Sequence, residues 1–325
     1  MLLEVNGLKT EFFTKKGTVK AVRNISFGLA KGEILAIVGE SGSGKSVTSL
    51  SVMGLIDYPG KIVGGEVVFK GKNLLKATKR ELQKIRGDQI SMIFQEPMTS
   101  LNPVQKIRDQ LLESIKVHMK LSKKDALLRA IEVLKLVEIP SPKTRINDYP
   151  HQMSGGMRQR VMIAMALSCH PEILIADEPT TALDVTIQAQ ILDLLYDLRK
   201  KIGMAILLIT HDLGVVAETA DRIIVMYCGR IVEEALVKDL FATPRHPYTI
   251  GLLESIPKLN EDRKRLYMIK GVVPDPFSIP KGCSFSDRCE HCMEKCKHNV
   301  PALIQSGNQK VRCFLYGDAL EEKNE

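Results

Sequence analysis

Residues 33–46 read EILAIVGESGSGKS: a short apolar run, a glycine-rich turn and a Lys-Ser pair. The run predicts a buried strand and the residues after it predict a helix through about Leu55, which together make a strand–loop–helix unit. The turn matches the phosphate-loop pattern GxxxxGK[ST] with Gly39-Glu40-Ser41-Gly42-Ser43-Gly44-Lys45-Ser46. In such a loop the glycines let backbone N–H groups converge on phosphates, the lysine reaches the outer phosphates and the serine hydroxyl can ligate Mg²⁺. The stretch therefore predicts a nucleotide-phosphate site on an α/β core.

The segments around this unit predict the rest of an α/β fold. Antiparallel strands are predicted for residues 2–30, 64–75 and 221–234. Apolar runs typical of a covered parallel sheet occupy residues 172–179 and 205–212. Helical spacing occurs in residues 106–118, 123–137 and 186–203. The first two of these helices predict a helical subdomain at about 97–157, inserted in the α/β core.

An acidic pair ends the apolar run at residues 173–178, which read ILIADE. A buried strand would deliver Asp177 beside Mg²⁺, and Glu178 could orient and deprotonate an attacking water. Such a pair can also cap the turn that follows it. Together with a phosphate loop in the same chain, it predicts nucleotide hydrolysis.

Residues 153–160 read MSGGMRQR and resemble the LSGGQ signature of ABC ATPases, with methionine in place of the leucine and of the glutamine. The alternative is an ordinary helix start capped by Ser154. The family's other motifs follow in its own order and favour the resemblance. They are the Q-loop glutamine at Gln95, the D-loop at 181–184 and the switch histidine at His211. The resemblance covers about residues 1–250.

This resemblance implies a P-loop ABC ATPase: a RecA-like core with an antiparallel β subdomain and a helical subdomain. It implies that the nucleotide is bound by Phe12 (with Phe13 as a competing neighbour), Gly39, Glu40, Ser41, Gly42, Ser43, Gly44, Lys45, Ser46 and Val47. It implies catalytic roles for Glu178, His211 and Gln95, and Mg²⁺ ligation by Ser46, Gln95 and Asp177. The ATP of a partner subunit would be contacted by Ser154, Gly155 and Gly156, with Asp184 in the D-loop.

Three further segments resemble the ATPases of oligopeptide, dipeptide and nickel importers: 94–103 (FQEPMTSLNP), 153–167 and 243–249 (TPRHPYT). That resemblance implies ATP-driven import, with a second related ATPase or a homodimer, two membrane subunits and an external binding protein as partners. Peptides are the expected substrates, and a nickel complex or another small solute is the alternative.

The cysteines predict a stapled C-terminal region. Of the seven, five lie close together: Cys283, Cys289, Cys292, Cys296 and Cys313. In a reducing compartment such a group indicates metal rather than disulfides. The resemblance implies a [4Fe–4S] cluster on Cys283, Cys289, Cys296 and Cys313. Zinc suits four thiolates equally well, and the spacing Cys289-x₂-Cys292-x₃-Cys296 would instead make Cys292 a ligand. We expect domains at 1–256 and 257–325.

Composition narrows the alternatives. The formal net charge of +8 is spread along the chain in short clusters, which is typical of a solvated surface. No run approaches the roughly 20 apolar residues of a membrane span, and no secretory signal is recognisable. We therefore expect a peripheral protein on the cytoplasmic face of the cell membrane. ABC-type ATPases that act on DNA or ribosomes would be expected to carry a long coiled-coil insertion or a second ATPase domain, and the sequence predicts neither. A non-hydrolysing regulatory module would be expected to lack Glu178 or His211, and this sequence has both.

Overall fold

The computed structural model describes residues 1–95, 101–180, 184–256 and 268–321, with only the backbone of Val185. These residues divide into two compact units. The first contains Met1–Leu29, Ile34–Leu75 and the described part of Thr210–Glu325, and the second contains Ala30–Glu33 and the described part of Lys76–Ile209.

The described strands are β1 (Leu3–Thr14), β2 (Gly17–Leu29), β3 (Ile34–Val38), β4 (Gly60–Phe69), β5 (Lys72–Asn73), β6 (Ile90–Ile93), β7 (Ile173–Asp177), β8 (Ala205–Ile209), β9 (Arg222–Tyr227), β10 (Arg230–Leu236), β11 (Ile304–Ser306) and β12 (Gln309–Val311). The described α-helices are α1 (Lys45–Met53), α2 (Lys79–Ile85), α3 (Ile107–His118), α4 (Lys123–Leu136), α5 (Pro142–Arg145), α6 (Gly155–Leu167), α7 (Val185–Ile202), α8 (Leu213–Thr219), α9 (Val237–Ala242), α10 (Pro247–Glu254) and α11 (Glu294–His298). Short 3₁₀ turns occur at Leu74–Lys76, Pro150–Gln152 and Ser286–Arg288.

Two sheets build the first unit. One is antiparallel in the order β2-β1-β4-β5, as the alternating N-terminal sequence predicts. The other runs β11-β12-β10-β9-β3, in which β3 and β9 are parallel and β9 and β10 form a hairpin. Every residue of β3 is buried, because its unbroken apolar run is covered on both faces. This strand leads into the phosphate loop and α1, and so positions that loop at the carboxyl end of β3.

The second unit combines a short parallel sheet with helices. Strands β8, β7 and β6 lie in that order, and β7 pairs in parallel with both neighbours. Helices α3 and α4 pack together and against α6, as predicted for the helical insertion. Helix α7 ends at Gly203, whose φ of 72° is the left-handed conformation that glycine adopts without steric cost. The carboxyl end of β7 carries the acidic pair.

The cysteine-bearing segment joins the sheet of the first unit. Residues 268–321 belong to that unit. The reason is β-sheet pairing that the sequence pattern did not reveal: β12 pairs with β10 and extends the sheet of that unit. Within the described ranges, no helix is long and apolar enough to cross a membrane.

Candidate functional site: a phosphate loop and an acidic strand end

The phosphate loop follows β3 and depends on glycine at two close approaches. Gly39 has a φ of 151°, and a Cβ on it would lie 2.3 Å from the Met226 carbonyl oxygen. Gly44 has a φ of 102°, and its Cβ would lie 2.5 Å from the Ala21 carbonyl oxygen. Real Cβ atoms do not come this near to a backbone oxygen. Glycine therefore lets the loop lie directly on the main chain of β2 and of the β9–β10 hairpin.

The loop also holds a buried cation and an unsatisfied hydroxyl. Lys45 is 6% exposed, and its Nζ donates to the carbonyl oxygens of Gly39 at 2.7 Å and Glu40 at 3.0 Å. The buried Ser43 Oγ has no hydrogen-bond partner among the described residues. Buried polar groups are normally paired, so an acceptor such as a phosphate oxygen would complete this loop.

Two residues beside the phosphate loop, Tyr248 and His246, were not predicted to be functional from the sequence. Tyr248, in the segment TPRHPYT, is fully buried, and its hydroxyl oxygen accepts the Glu40 backbone N–H at 2.8 Å. Next to it, His246 caps α10 by accepting the Tyr248 N–H at its Nδ1. Burial lowers the pKa of His246 to about 3, so it is neutral at pH 7. The HPY sequence was the available signal, although nothing in it indicates a contact with the phosphate loop.

At the end of β7, the structure brings two predicted catalytic residues together. Asp177 is buried, and Glu178 is partly exposed with a left-handed φ of 46°. The Glu178 N–H donates to the Ile209 carbonyl oxygen of β8. Its Oε2 accepts a hydrogen bond from the Gln95 Nε2 at 3.1 Å, and Gln95 is exposed. The carboxylate and the amide are therefore placed to act on the same small molecule, such as water.

The signature and D-loop residues lie at helix N-termini of the second unit. Ser154 caps α6 by accepting the Met157 N–H at 3.3 Å, and Asp184 caps α7 by accepting the Ile187 N–H at 3.1 Å. A Cβ on Gly156 would lie 3.0 Å from Ile187, so α6 and α7 are closely packed there. The remaining D-loop residues, 181–183, lie outside the described residues, as do residues 96–100 after Gln95.

The other predicted nucleotide residues belong to the first unit. His211 is exposed and follows Thr210, whose N–H donates to the Ile37 carbonyl oxygen of β3. The ring of Phe12 lies across the neighbouring strand, since a Cβ on Gly60 would be 2.7 Å from its Cε1. Phe13 is 48% exposed. Which of the two rings stacks on adenine stays a prediction.

The four cysteines assigned by resemblance line one small cavity: Cys283, Cys289, Cys296 and Cys313. Cys292 is not on its lining. Burial raises the pKa of Cys283 to about 12 and that of Cys313 to about 11, so the unligated thiols are protonated at neutral pH. Across the described ranges, however, no three His, Cys, Asp or Glu residues are grouped closely enough to hold a metal ion. Thiols are suitable ligands for a cluster, and the four of them line one cavity. Their distances from one another are nevertheless too long to hold a metal ion, so the structure does not support the predicted metal site.

Family models divide the chain in two. A model described as "ABC transporter" matches residues 22–181. A second, described as "Oligopeptide/dipeptide transporter, C-terminal region", matches residues 232–296 and includes the HPY segment and three of the four cysteines.

Individual proteins match over nearly the whole chain. The oligopeptide transport ATP-binding protein AppD of Bacillus subtilis (strain 168) is 55% identical, over 99% of each chain. The dipeptide transport ATP-binding protein DppD of Haemophilus influenzae is 52% identical, over 96% of this chain and 94% of its own. Among solved structures, the dimeric post-hydrolysis state of the ATP-binding cassette MJ0796 with ADP and Pi matches with a TM-score of 0.65 and 30% identity. That match covers 72% of this chain and 98% of the cassette.

Proposed function

Because this chain belongs to the family of ATP-binding subunits of oligopeptide and dipeptide ABC transporters, we propose that it hydrolyses ATP to ADP and phosphate to power peptide import. One observation carries the proposal: a phosphate loop with a buried lysine, in a chain that matches a peptide-transport ATPase over 99% of its length. The named substrates of the relatives favour peptides over the nickel alternative.

We assign the ATP-binding roles as follows. The nucleotide is held by Phe12, the backbone of Gly39–Ser43, Gly44, Lys45, Ser46 and Val47. Lys45 pairs with the outer phosphates, and the Ser43 hydroxyl gains an acceptor it now lacks. Magnesium would be held by Ser46, Gln95 and Asp177, where it would neutralise charge on the phosphates.

For hydrolysis, Glu178 is the general base. Its carboxylate accepts a proton from the attacking water, and Gln95, which already donates to that carboxylate, orients the same water. His211 senses the γ-phosphate through its exposed ring. These roles use the chemistry of each side chain and rest on the family resemblance.

We further propose that the working unit is a dimer of ATPase chains at the cytoplasmic face of the cell membrane. Ser154, Gly155 and Gly156 contact the partner's ATP, with Asp184 at the same interface. The dimeric state of the MJ0796 cassette supports this arrangement. Two transmembrane subunits and an external peptide-binding protein complete the transporter. The proposed domains are 1–256, with a helical subdomain at about 97–157, and 257–325.

Uptake into vesicles tests the function. Proteoliposomes that contain the assembled transporter should accumulate a labelled di- or oligopeptide only with ATP and the external binding protein. A transporter that carries Ni²⁺ but no peptide would overturn the peptide assignment, and uptake without ATP hydrolysis would overturn the ATPase role.

A [4Fe–4S] cluster on Cys283, Cys289, Cys296 and Cys313 is also proposed, because the four thiols line one cavity, although their present spacing among the described residues forms no metal-binding group. When bound, it would cross-link this segment through metal–thiolate bonds. Protein purified without oxygen should contain about four irons per chain. Serine at any of the four positions should release the iron, whereas Cys292→Ser should retain it as the matched control. Colourless protein with one zinc per chain would show that the site binds zinc and not an iron–sulfur cluster. Metal-free protein would contradict both assignments.

A further inference from the structure

Glu40, the second residue of the phosphate-loop motif, is held by the cysteine-bearing segment. Its carboxylate accepts two hydrogen bonds from the Arg288 guanidinium: Nη1 to Oε2 at 2.7 Å and Nη2 to Oε1 at 3.1 Å. This is the bidentate geometry that makes Arg–carboxylate pairs strong and directional. Arg288 lies in the turn Ser286–Arg288, between Cys283 and Cys289.

Arg288 is itself fixed from several sides. Its side chain is only 4% exposed, and its Nε donates to the Lys270 carbonyl oxygen at 3.1 Å. Nη1 also donates to the Tyr227 hydroxyl at 3.4 Å. The guanidinium carbon lies 5.8 Å from the ring centroids of both Tyr227 and Phe285, within cation–π range. The guanidinium is therefore oriented toward Glu40 before any ligand arrives.

The same cluster holds the main chain of Glu40. The Glu40 N–H donates to the Tyr248 hydroxyl, and the Tyr248 ring packs 4.6 Å from Tyr227 and 5.5 Å from Phe285, measured between centroids. We call Tyr227, Tyr248, Phe285 and Arg288 the loop brace. One loop residue thus has both its backbone and its side chain fixed by the brace.

Charge explains why the arginine matters to an anionic ligand. A carboxylate in a loop that receives a triphosphate repels it, because both groups carry negative charge. Arg288 pairs with this carboxylate through both of its Nη atoms. Without the arginine, Glu40 would lose its orientation and its neutralising partner together.

We propose that Arg288 is a positioning residue for nucleotide binding, which holds and neutralises Glu40 so that the phosphate loop accepts a polyphosphate. The inference rests on the proposed binding of ATP by this loop. It assigns the C-terminal segment a direct part in setting nucleotide affinity.

The test is ATP affinity of the full chain, measured by calorimetry with Mg²⁺ present, for the Arg288→Ala, Glu40→Gln and doubly substituted proteins. Arg288→Ala should weaken binding by about 10-fold, as loss of a charged hydrogen-bonded pair does. Glu40→Gln should weaken binding less than Arg288→Ala does, because repulsion is removed together with the pair. The double variant should recover most of the loss. Lys297→Ala removes an exposed ion pair with Glu294 in the same segment and is the matched control, with unchanged affinity expected.

The rescue separates positioning from simple damage to the fold. If Arg288→Ala merely disrupted the segment, Glu40→Gln would not restore affinity, and that result would overturn the inference. Wild-type affinity in Arg288→Ala would overturn it as well, while leaving the proposed function intact. If wild-type protein bound no ATP, the proposed function would fail, and this inference with it.

Discussion

The phosphate loop serves the proposed ATP binding and the end of β7 serves the proposed hydrolysis, but different kinds of contact fix the two regions. The loop lies on the main chain at Met226 and Ala21, and the loop brace fixes Glu40 through its backbone and its carboxylate. At the end of β7, the partly exposed Glu178 accepts a hydrogen bond from the exposed Gln95. Most of the loop's contacts come from buried groups, whereas the contact at the strand end joins a partly exposed carboxylate to an exposed amide.

This difference indicates that binding and hydrolysis are prepared to different degrees within one chain. A preorganised loop loses little entropy when a ligand arrives, so we expect nucleotide binding to need no partner. The partly exposed carboxylate and the exposed amide would gain further contacts when the proposed second subunit binds. Four experiments can test whether binding and hydrolysis differ in this way.

The largest effect is expected at the strand end. Glu178→Gln should slow ATP hydrolysis in the assembled transporter by about 10²–10⁴, the usual contribution of a positioned general base. Affinity for ATP should remain close to wild type, because the phosphate loop is untouched. Single-turnover hydrolysis and equilibrium binding measure the two quantities separately. Near-normal turnover would exclude Glu178 as the base.

Lys45→Ala should change ATP binding and not hydrolysis alone. Removing a cation that we propose to pair with the outer phosphates should weaken ATP binding by roughly 10- to 100-fold, from about 1.5–3 kcal/mol per charged hydrogen bond. Calorimetry of the isolated chain measures this, since we expect binding to need no partner. Unchanged affinity would show that Lys45 does not contact the nucleotide.

Low pH should reduce the free energy of unfolding through protonation of His246, which lies beside the loop brace. Its folded pKa of about 3 lies below the unfolded value of 6.5, so the unfolded chain binds the proton first. Its contribution is therefore fully favourable above pH 6.5 and is lost as the pH falls from 6.5 toward 3, by about 1.4 kcal/mol per unit. His246→Asn keeps an N-cap acceptor without this titration. Urea midpoints between pH 7.5 and pH 5 should fall less steeply for the variant, and equal slopes would contradict the assignment.

Tyr248→Phe should give the smallest effect. The ring and its packing remain, but the Glu40 N–H loses its acceptor, which is worth about 0.5–1.5 kcal/mol. ATP affinity should therefore fall by about 2- to 10-fold, with kcat of the assembled transporter retained. A change in kcat at saturating ATP would mean that the brace also acts on hydrolysis.

Local sequence patterns were sufficient for most of the elements. The β9–β10 hairpin, α7 with its terminal Gly203 and the helical pair α3 and α4 all follow from periodicity and turn residues, and the structure confirms them. The phosphate loop followed from a motif whose spacing encodes its geometry. The loop brace did not, because Arg288 and Glu40 are 248 positions apart in sequence. Neither residue carries a local pattern that names its partner.

The pairing of β12 with β10 was missed for a related reason. A three-residue strand such as Gln309–Val311 has too little alternation to be recognised. Its place depends on an edge that β10 offers from about 75 residues earlier in the chain. The sequence alone therefore did not predict that the cysteine-bearing segment pairs with the sheet of the first unit.

The backbone of Glu178 has a consequence for how this protein can change over generations. Its φ of 46° lies in a region that disfavours glutamate and suits glycine or asparagine. The local conformation thus opposes the residue that the proposed chemistry requires, and such positions typically carry of order 1 kcal/mol of strain. Substitution of Glu178 by glycine or asparagine would relieve strain while it removes the proposed base. Loss of this carboxylate should therefore be favoured by stability and opposed only by the proposed activity.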